Sequence, residues 1–99
     1  RSKICGGGAK SALWKRIFAN VLNMKLDIVE SEQGPGMGGA MLAMVANGAY
    51  PSVQAVCDKL VKVVDTVSPE PELVALYEAR YRQFSKIYPA MKELFPQIL

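Results

Sequence analysis

From Lys3 to Val29 the chain has room for a strand, a glycine turn, a helix and a second strand, and for little else. Lys3–Cys5 reads as a short strand. Leu13, Trp14, Ile17, Phe18, Val21 and Leu22 recur at helical spacing. The pattern predicts a helix over residues 11–22, with Ser11 as N-cap and Asn23 taking a left-handed exit. Lys25–Val29 then reads as a second strand, with Leu26 and Ile28 on one face. Strand, helix and strand this close together require a parallel pair joined by a right-handed crossover, which places the chain in the α/β class.

The turn inside this unit is Gly6-Gly7-Gly8, the kind of loop that lets backbone approach a nucleotide. Two familiar phosphate-binding patterns are absent. A P-loop ending on Lys10 and Ser11 would need glycines where Ile4 and Ala9 stand. A dinucleotide fingerprint starting at Gly6 and Gly8 places Ser11 where its third glycine belongs, although Glu30 lies near the spacing of its acidic residue.

Beyond the second strand, a Gly-Pro turn feeds a helix starting near Pro35 or Gly36 and closed by Gly48. Interior glycines cost a helix about 1 kcal/mol each, so Gly38 and Gly39 ask for a reason. Gly36, Gly39, Ala40 and Ala43 would form a small-residue face, read as tight packing at Ala40 and Ala43 and as a cleft border from Gly34 to Gly39. Pro51 and Ser52 start a third helix with Val56, Cys57 and Leu60 inward. Residues 61–71 read as an extended passage. Pro71 opens a fourth helix carrying Leu73, Leu76, Tyr77, Tyr81, Phe84 and Tyr88 as a core or interface stripe, interrupted at Pro89.

Ninety-nine residues make one domain at most, and the opening Arg1-Ser2-Lys3 lacks an initiator methionine, so a piece of a longer polypeptide is expected. The net charge of +3 is spread among acids, which argues against nucleic acid as a partner. No apolar run approaches the ~18 residues of a membrane span. There is no histidine, and Cys5 and Cys57 are the only cysteines, which excludes a four-ligand zinc site within the chain and a catalytic triad. Both thiols are expected to be buried and reduced in a cytoplasmic protein. Asp27, Asp58 and Asp65 are each expected to face solvent, and none is read as a catalytic base.

The order of these motifs resembles the last part of the xylulokinases, within the FGGY carbohydrate kinase family. The resemblance rests on "GGGAKS" with a tryptophan three residues later, on "EQGPGMGGAMLA", and on the tyrosine-rich "SPEPELVALYEARYRQFSKIYPAMKELF", so it spans nearly the whole chain. Glycerol and gluconate kinases share the layout with different residues at these places. The resemblance implies a fragment of an actin-like ATPase (ribonuclease H-like) domain, with two parallel strands and about four helices. Residues 1–48 would be a βαβα unit carrying the nucleotide loop, and residues 49–99 a helical tail.

The activity implied is transfer of the γ-phosphoryl group of ATP, with Mg2+, to D-xylulose. Carried over by position, Gly7 and Gly8 would present bare backbone to adenine and ribose, and Ser11 a polar side chain at their edge. Gly6, Ala9 and Lys10 are weaker nucleotide-binding candidates. The family's catalytic aspartate, sugar-binding residues and phosphate loops have no counterpart here, so the segment alone is expected to be inactive, to depend on the rest of a kinase chain, and to self-associate through its open strand edge. A free-standing helical interaction module is the alternative of a different class.

Overall fold

The computed structural model describes residues 1–30 and 33–98; Ser31 and Glu32 of the "EQGPGMGGAMLA" motif region and Leu99 of the tail lie outside the described residues. Strand β1, Ser2–Ile4, leads through a 3-10 turn, Gly7–Lys10, into helix α1, Ala12–Leu22, and then into strand β2, Leu26–Val29. The two strands are parallel, Ser2 beside Leu26 and Ile4 beside Ile28.

Local chemistry sets the ends of α1. The Ser11 hydroxyl oxygen accepts the N–H of Trp14 at 3.3 Å. At the other end Asn23 turns left-handed at φ 48° and donates its N–H back to the Ala19 carbonyl.

The structure adds a third strand to the expected pair. Residues 61–71 contain β3, Val63–Val67, antiparallel to β2, so the sheet runs β1-β2-β3 and the tail is not wholly helical. Thr66 stands opposite Asp27, and a register shift lies between Ile28 and Val29. Flanked on both sides, β2 is the most buried strand, with Leu26, Asp27 and Ile28 all withdrawn from solvent.

Helix α2, Gly34–Ala46, carries Pro35 in its first turn and exits through Gly48 at φ 79°. Helix α3, Val53–Leu60, begins on Ser52, whose hydroxyl oxygen accepts the Ala55 N–H at 3.1 Å. Helix α4 is Pro71–Phe84, followed by the short α5, Ile87–Met91, and α6, Phe95–Ile98. Pro89 does not interrupt a helix: it sits in the first turn of α5, where its missing N–H has no intrahelical acceptor to lose. The break falls earlier, at Ser85 and Lys86.

Several expectations about burial are corrected. The apolar core among the described residues is small: Ala19, Leu26, Ile28, Met41 and Val56. In α1 the inward side is Ala19 and Asn20, while Leu13, Trp14, Phe18, Val21 and Leu22 are exposed, because a three-stranded sheet is too narrow to cover them. The small-residue face of α2 is exposed as well, and added Cβ atoms at Gly36, Gly38 and Gly39 would meet open space. Met37 and Met41, one turn apart, carry that helix's inner side. The aromatic stripe of α4 and α5 is not a core: Tyr81, Phe84 and Tyr88 are exposed, and only Leu73, Val74 and Tyr77 of α4 and Met91 of α5 are half-buried. Cys5 is exposed because it follows the end of an edge strand, while Cys57 is half-buried; both are free thiols.

Candidate functional site

The glycine loop owes its path to Gly6. This residue has φ 88° and ψ −175°, a region essentially closed to side-chain-bearing residues. It turns the chain out of β1, and its carbonyl then accepts the N–H of Ala9 at 3.0 Å to start the 3-10 turn. The turn closes with Ser11 N–H donating to the Gly8 carbonyl at 3.2 Å.

A 3-10 turn places residues three apart on the same side. Gly6 and Ala9 therefore face together, and with Cys5 and Lys10 they form one wall of a cavity of about 260 Å3. Its other wall is Ile28, Val29 and Glu30 at the end of β2, with Val64 from β3. Gly8 lies on the opposite side, in a groove of about 350 Å3 shared with β1, Phe18 and Leu22. The structure thus splits the six candidates: Gly6, Ala9 and Lys10 line the cavity, Gly8 lines the groove, and Gly7 and Ser11 are not among the residues lining either. Glu30 and Val64 were not among the sequence candidates. Glu30 carried a signal in its spacing from the glycines; Val64 carried none, because nothing local says that residues 63–67 return to β2.

The turn leaves bare backbone exposed. Gly7 and Gly8 are exposed, a Cβ at Gly7 would meet nothing within 4 Å, and one at Gly8 would meet only the Phe18 ring at 3.8 Å. Phe18 in turn stacks on Trp14, with ring centroids 5.5 Å apart. The Ser11 hydroxyl oxygen is engaged in capping α1. Among the described residues no three His, Cys, Asp or Glu side chains come together.

One aspartate departs from its expected setting. Asp27 is 5% exposed, not solvent-facing, because β2 is the central strand. Arg1 donates to it twice, Nε to Oδ2 at 2.7 Å and Nη2 to Oδ1 at 2.8 Å, and Thr66 Oγ1 donates to Oδ1 at 2.7 Å. The Arg1 hydrogen bonds, then that of Thr66, hold the carboxyl below its ordinary range against the opposing effect of burial. A carboxylate so paired is a structural anion and a poor proton acceptor. Asp58 and Asp65 are exposed as expected.

Comparison with known proteins follows the same segment. Residues 3–47 match the FGGY family of carbohydrate kinases, C-terminal domain. A xylulose kinase of Staphylococcus epidermidis is 33% identical over 94 residues, covering 95% of this chain and 19% of that protein. A ribulokinase of Geobacillus thermodenitrificans is 39% identical over 90 residues, covering 85% of this chain and 16% of its own. The chain thus spans about a fifth of the length of the curated relatives it matches. Among solved structures, a xylulose kinase from Rhodospirillum rubrum superposes with a TM-score of 0.76 at 27% identity, over 96% of this chain and 19% of that one. A gluconate kinase from Lactobacillus acidophilus shares the fold, with a TM-score of 0.86 at 18% identity over 99% of this chain and 20% of that one.

Proposed function

As the chain belongs to the FGGY family of carbohydrate kinases, we propose that it supplies the nucleoside-facing wall of an enzyme that transfers the γ-phosphoryl group of ATP to a sugar hydroxyl. The observation that carries this reading is the glycine loop, which lies within the matched residues 3–47 and presents exposed, Cβ-free backbone at Gly7 and Gly8. Any side chain there would stand where a purine or ribose lies against the chain. Gly6 sets the loop's direction, and Ala9 and Lys10 border the adjoining cavity.

Phosphoryl transfer requires both substrates to be positioned and the phosphate charge to be neutralised, which one wall of a nucleotide site does not accomplish. The reaction therefore belongs to a polypeptide of kinase length that carries this segment. Use of ATP and a phosphorylated sugar product fits an enzyme of the cytoplasm. Among the described residues no helix is long and apolar enough to cross a membrane.

D-Xylulose is the sugar we assign, on the likeness to relatives named xylulose kinase over nearly the full chain. Ribulose is the second reading, favoured by the higher identity to the ribulokinase. Calorimetry on the kinase-length protein tests both levels. ATP binding weakened by Gly8→Val with sugar binding intact supports the nucleoside wall, and unchanged ATP affinity removes Gly8 from it. Turnover of D-xylulose against the two enantiomers of ribulose decides the sugar.

A further inference from the structure

We propose that Glu30 is the ribose-binding residue of the nucleotide site, its carboxylate accepting from the 2′- and 3′-hydroxyls of ATP in the cavity between the glycine loop and the end of β2. The inference rests on the reading of the glycine loop as the nucleoside-facing wall.

The cavity lies between paired strands, β1 with β2 and β2 with β3, and not along an open edge. Because β1 and β2 are parallel, their carboxyl ends open on the same side of the sheet, which is where α/β sheets bind their ligands. Gly6 and Ala9 follow the end of β1, Glu30 follows the end of β2, and all three line the same space of about 260 Å3. A whole small-molecule site takes ~300–1,000 Å3, so this one holds part of a nucleotide. The backbone of Glu30 is fixed, its N–H donating to the Lys62 carbonyl at 2.9 Å. Opposite, Ile28 pairs with Asp65 and Val29 with Val63, which leaves Val64 as the extra residue of β3. A bulge re-aims a side chain out of the regular alternation, and Val64 lines the cavity beside Glu30.

The lining chemistry selects which part of ATP fits. Ile28, Val29 and Val64 are apolar, Gly6 and Ala9 bring at most a methyl group, and among the described residues lining the cavity Glu30 alone is acidic. Asp27 and Glu70 are held by arginines, whereas the Glu30 carboxylate is exposed and has no partner among the described residues. A carboxylate accepts hydrogen bonds and donates none. The phosphates carry like charge and are repelled by it. Adenine offers its amino group but also ring-nitrogen acceptors. The ribose offers two neighbouring O–H donors to two carboxylate oxygens, and its C–H faces suit the apolar walls. Dinucleotide folds use the same relation, with an acidic residue at the end of the second strand, about 20 residues past the glycines, bonded to the ribose. Glu30 stands near that spacing although the glycine pattern itself differs.

Calorimetry of nucleotide binding to the kinase-length protein tests the assignment without reference to the sugar. The protein is expected to bind ATP about tenfold or more tighter than 2′-deoxy-ATP or 3′-deoxy-ATP, the loss of a hydrogen bond to a charged group. Glu30→Ala should bring both ratios to within about twofold of unity, by weakening ATP more than either analogue. Glu30→Gln keeps one acceptor oxygen and should retain part of the discrimination. Each ratio compares two ligands on one protein, so the altered charge near the triphosphate and any loss of folded enzyme cancel from it. Ratios unchanged in Glu30→Ala overturn the proposal. So does a change in preference between ATP and GTP with the deoxy ratios unmoved, which would set the carboxylate against the base. Gly8→Val separates this assignment from the reading beneath it. ATP weakened by Gly8→Val with ratios unmoved by Glu30→Ala overturns the role of Glu30 alone, whereas ATP affinity unchanged in Gly8→Val removes the nucleoside wall and the ribose assignment with it.

Discussion

The carboxamide of Asn20 joins two helices end to side: its oxygen accepts the Glu70 N–H at 2.6 Å, and its Nδ2 donates to the Arg16 carbonyl at 2.8 Å. Glu70 is the residue before α4, which has no side-chain cap of its own. Asn20 on α1 thus receives the chain as it enters α4. At 1% exposure it has no water to substitute for either partner. Beside it, Arg16 grips the Glu70 carboxylate with both Nε and Nη2, at 2.6 and 2.9 Å, and holds that carboxyl below its ordinary range.

The buried neutral bond is expected to matter more than the exposed ionic one. Asn20→Ala leaves a buried N–H unsatisfied and should cost about 1–3 kcal/mol. Arg16→Ala removes a half-exposed pair worth about 0–1 kcal/mol. Urea titration of the two variants checks the order. A larger loss from Arg16→Ala would show that the ion pair, not Asn20, docks α4.

Asp27 predicts an acid limb. Its carboxyl is held low by Arg1 and Thr66, so the stability it contributes is fully present above the ordinary carboxylate pKa of about 3.9. It is lost as pH falls through the lower folded-state value. Asp27→Asn should lower stability near neutrality and flatten the decline below pH 4. Thermal unfolding followed from pH 2 to 7 tests both halves; an unchanged acid limb would mean that other carboxylates set it.

Two glycines of the same loop should separate folding from binding. Gly6 adopts φ 88°, so Gly6→Ala strains the backbone and should destabilise the chain by about 1–3 kcal/mol. Gly8 has an ordinary φ, and an added Cβ would meet only Phe18 at 3.8 Å, so Gly8→Val should leave stability within about 0.5 kcal/mol of the parent. A loss of ATP affinity in Gly8→Val then reports contact with the nucleotide. Equal melting shifts in both variants would remove that distinction.

What the sequence made legible follows the range of the forces involved. The ends of α1 were readable because Ser11 and Asn23 act within a few residues of themselves, and the parallel β1-β2 pair because so short a crossover has one common outcome. Strand β3 was visible only as an extended passage, since its pairing is made with residues some forty positions earlier. The placement of Asp27 was hidden for the same reason: its partners Arg1 and Thr66 lie 26 and 39 positions away. The apolar stripes of α1 and α4 were legible as stripes, but periodicity says only that a face avoids water. It does not say that these 99 residues suffice to cover it. The loop's glycines were legible as a group, while the division between Gly6 as the strained corner and Gly8 as bare surface needed the backbone angles.

The aspartates give a final prediction about where catalysis resides. A base for a sugar hydroxyl must be ionised, reachable and unpaired enough to take a proton. Asp27 is buried between Arg1 and Thr66. Asp58 accepts from Gln54 Nε2 at 2.6 Å on an exposed turn of α3, and Asp65 accepts the Thr66 N–H at 2.8 Å at the sheet's edge. Neither Asp58 nor Asp65 lines the cavity beside the glycine loop. In the kinase-length protein, Asp58→Asn and Asp65→Asn should therefore leave kcat within about twofold, whereas a true base lost would lower it by about 10^2 or more. The 99-residue chain alone should form no sugar phosphate from ATP and D-xylulose. A hundredfold fall in kcat on replacing either residue, or product formed by the chain alone with contaminating kinases excluded, would place the chemistry inside these residues and the sugar against this segment.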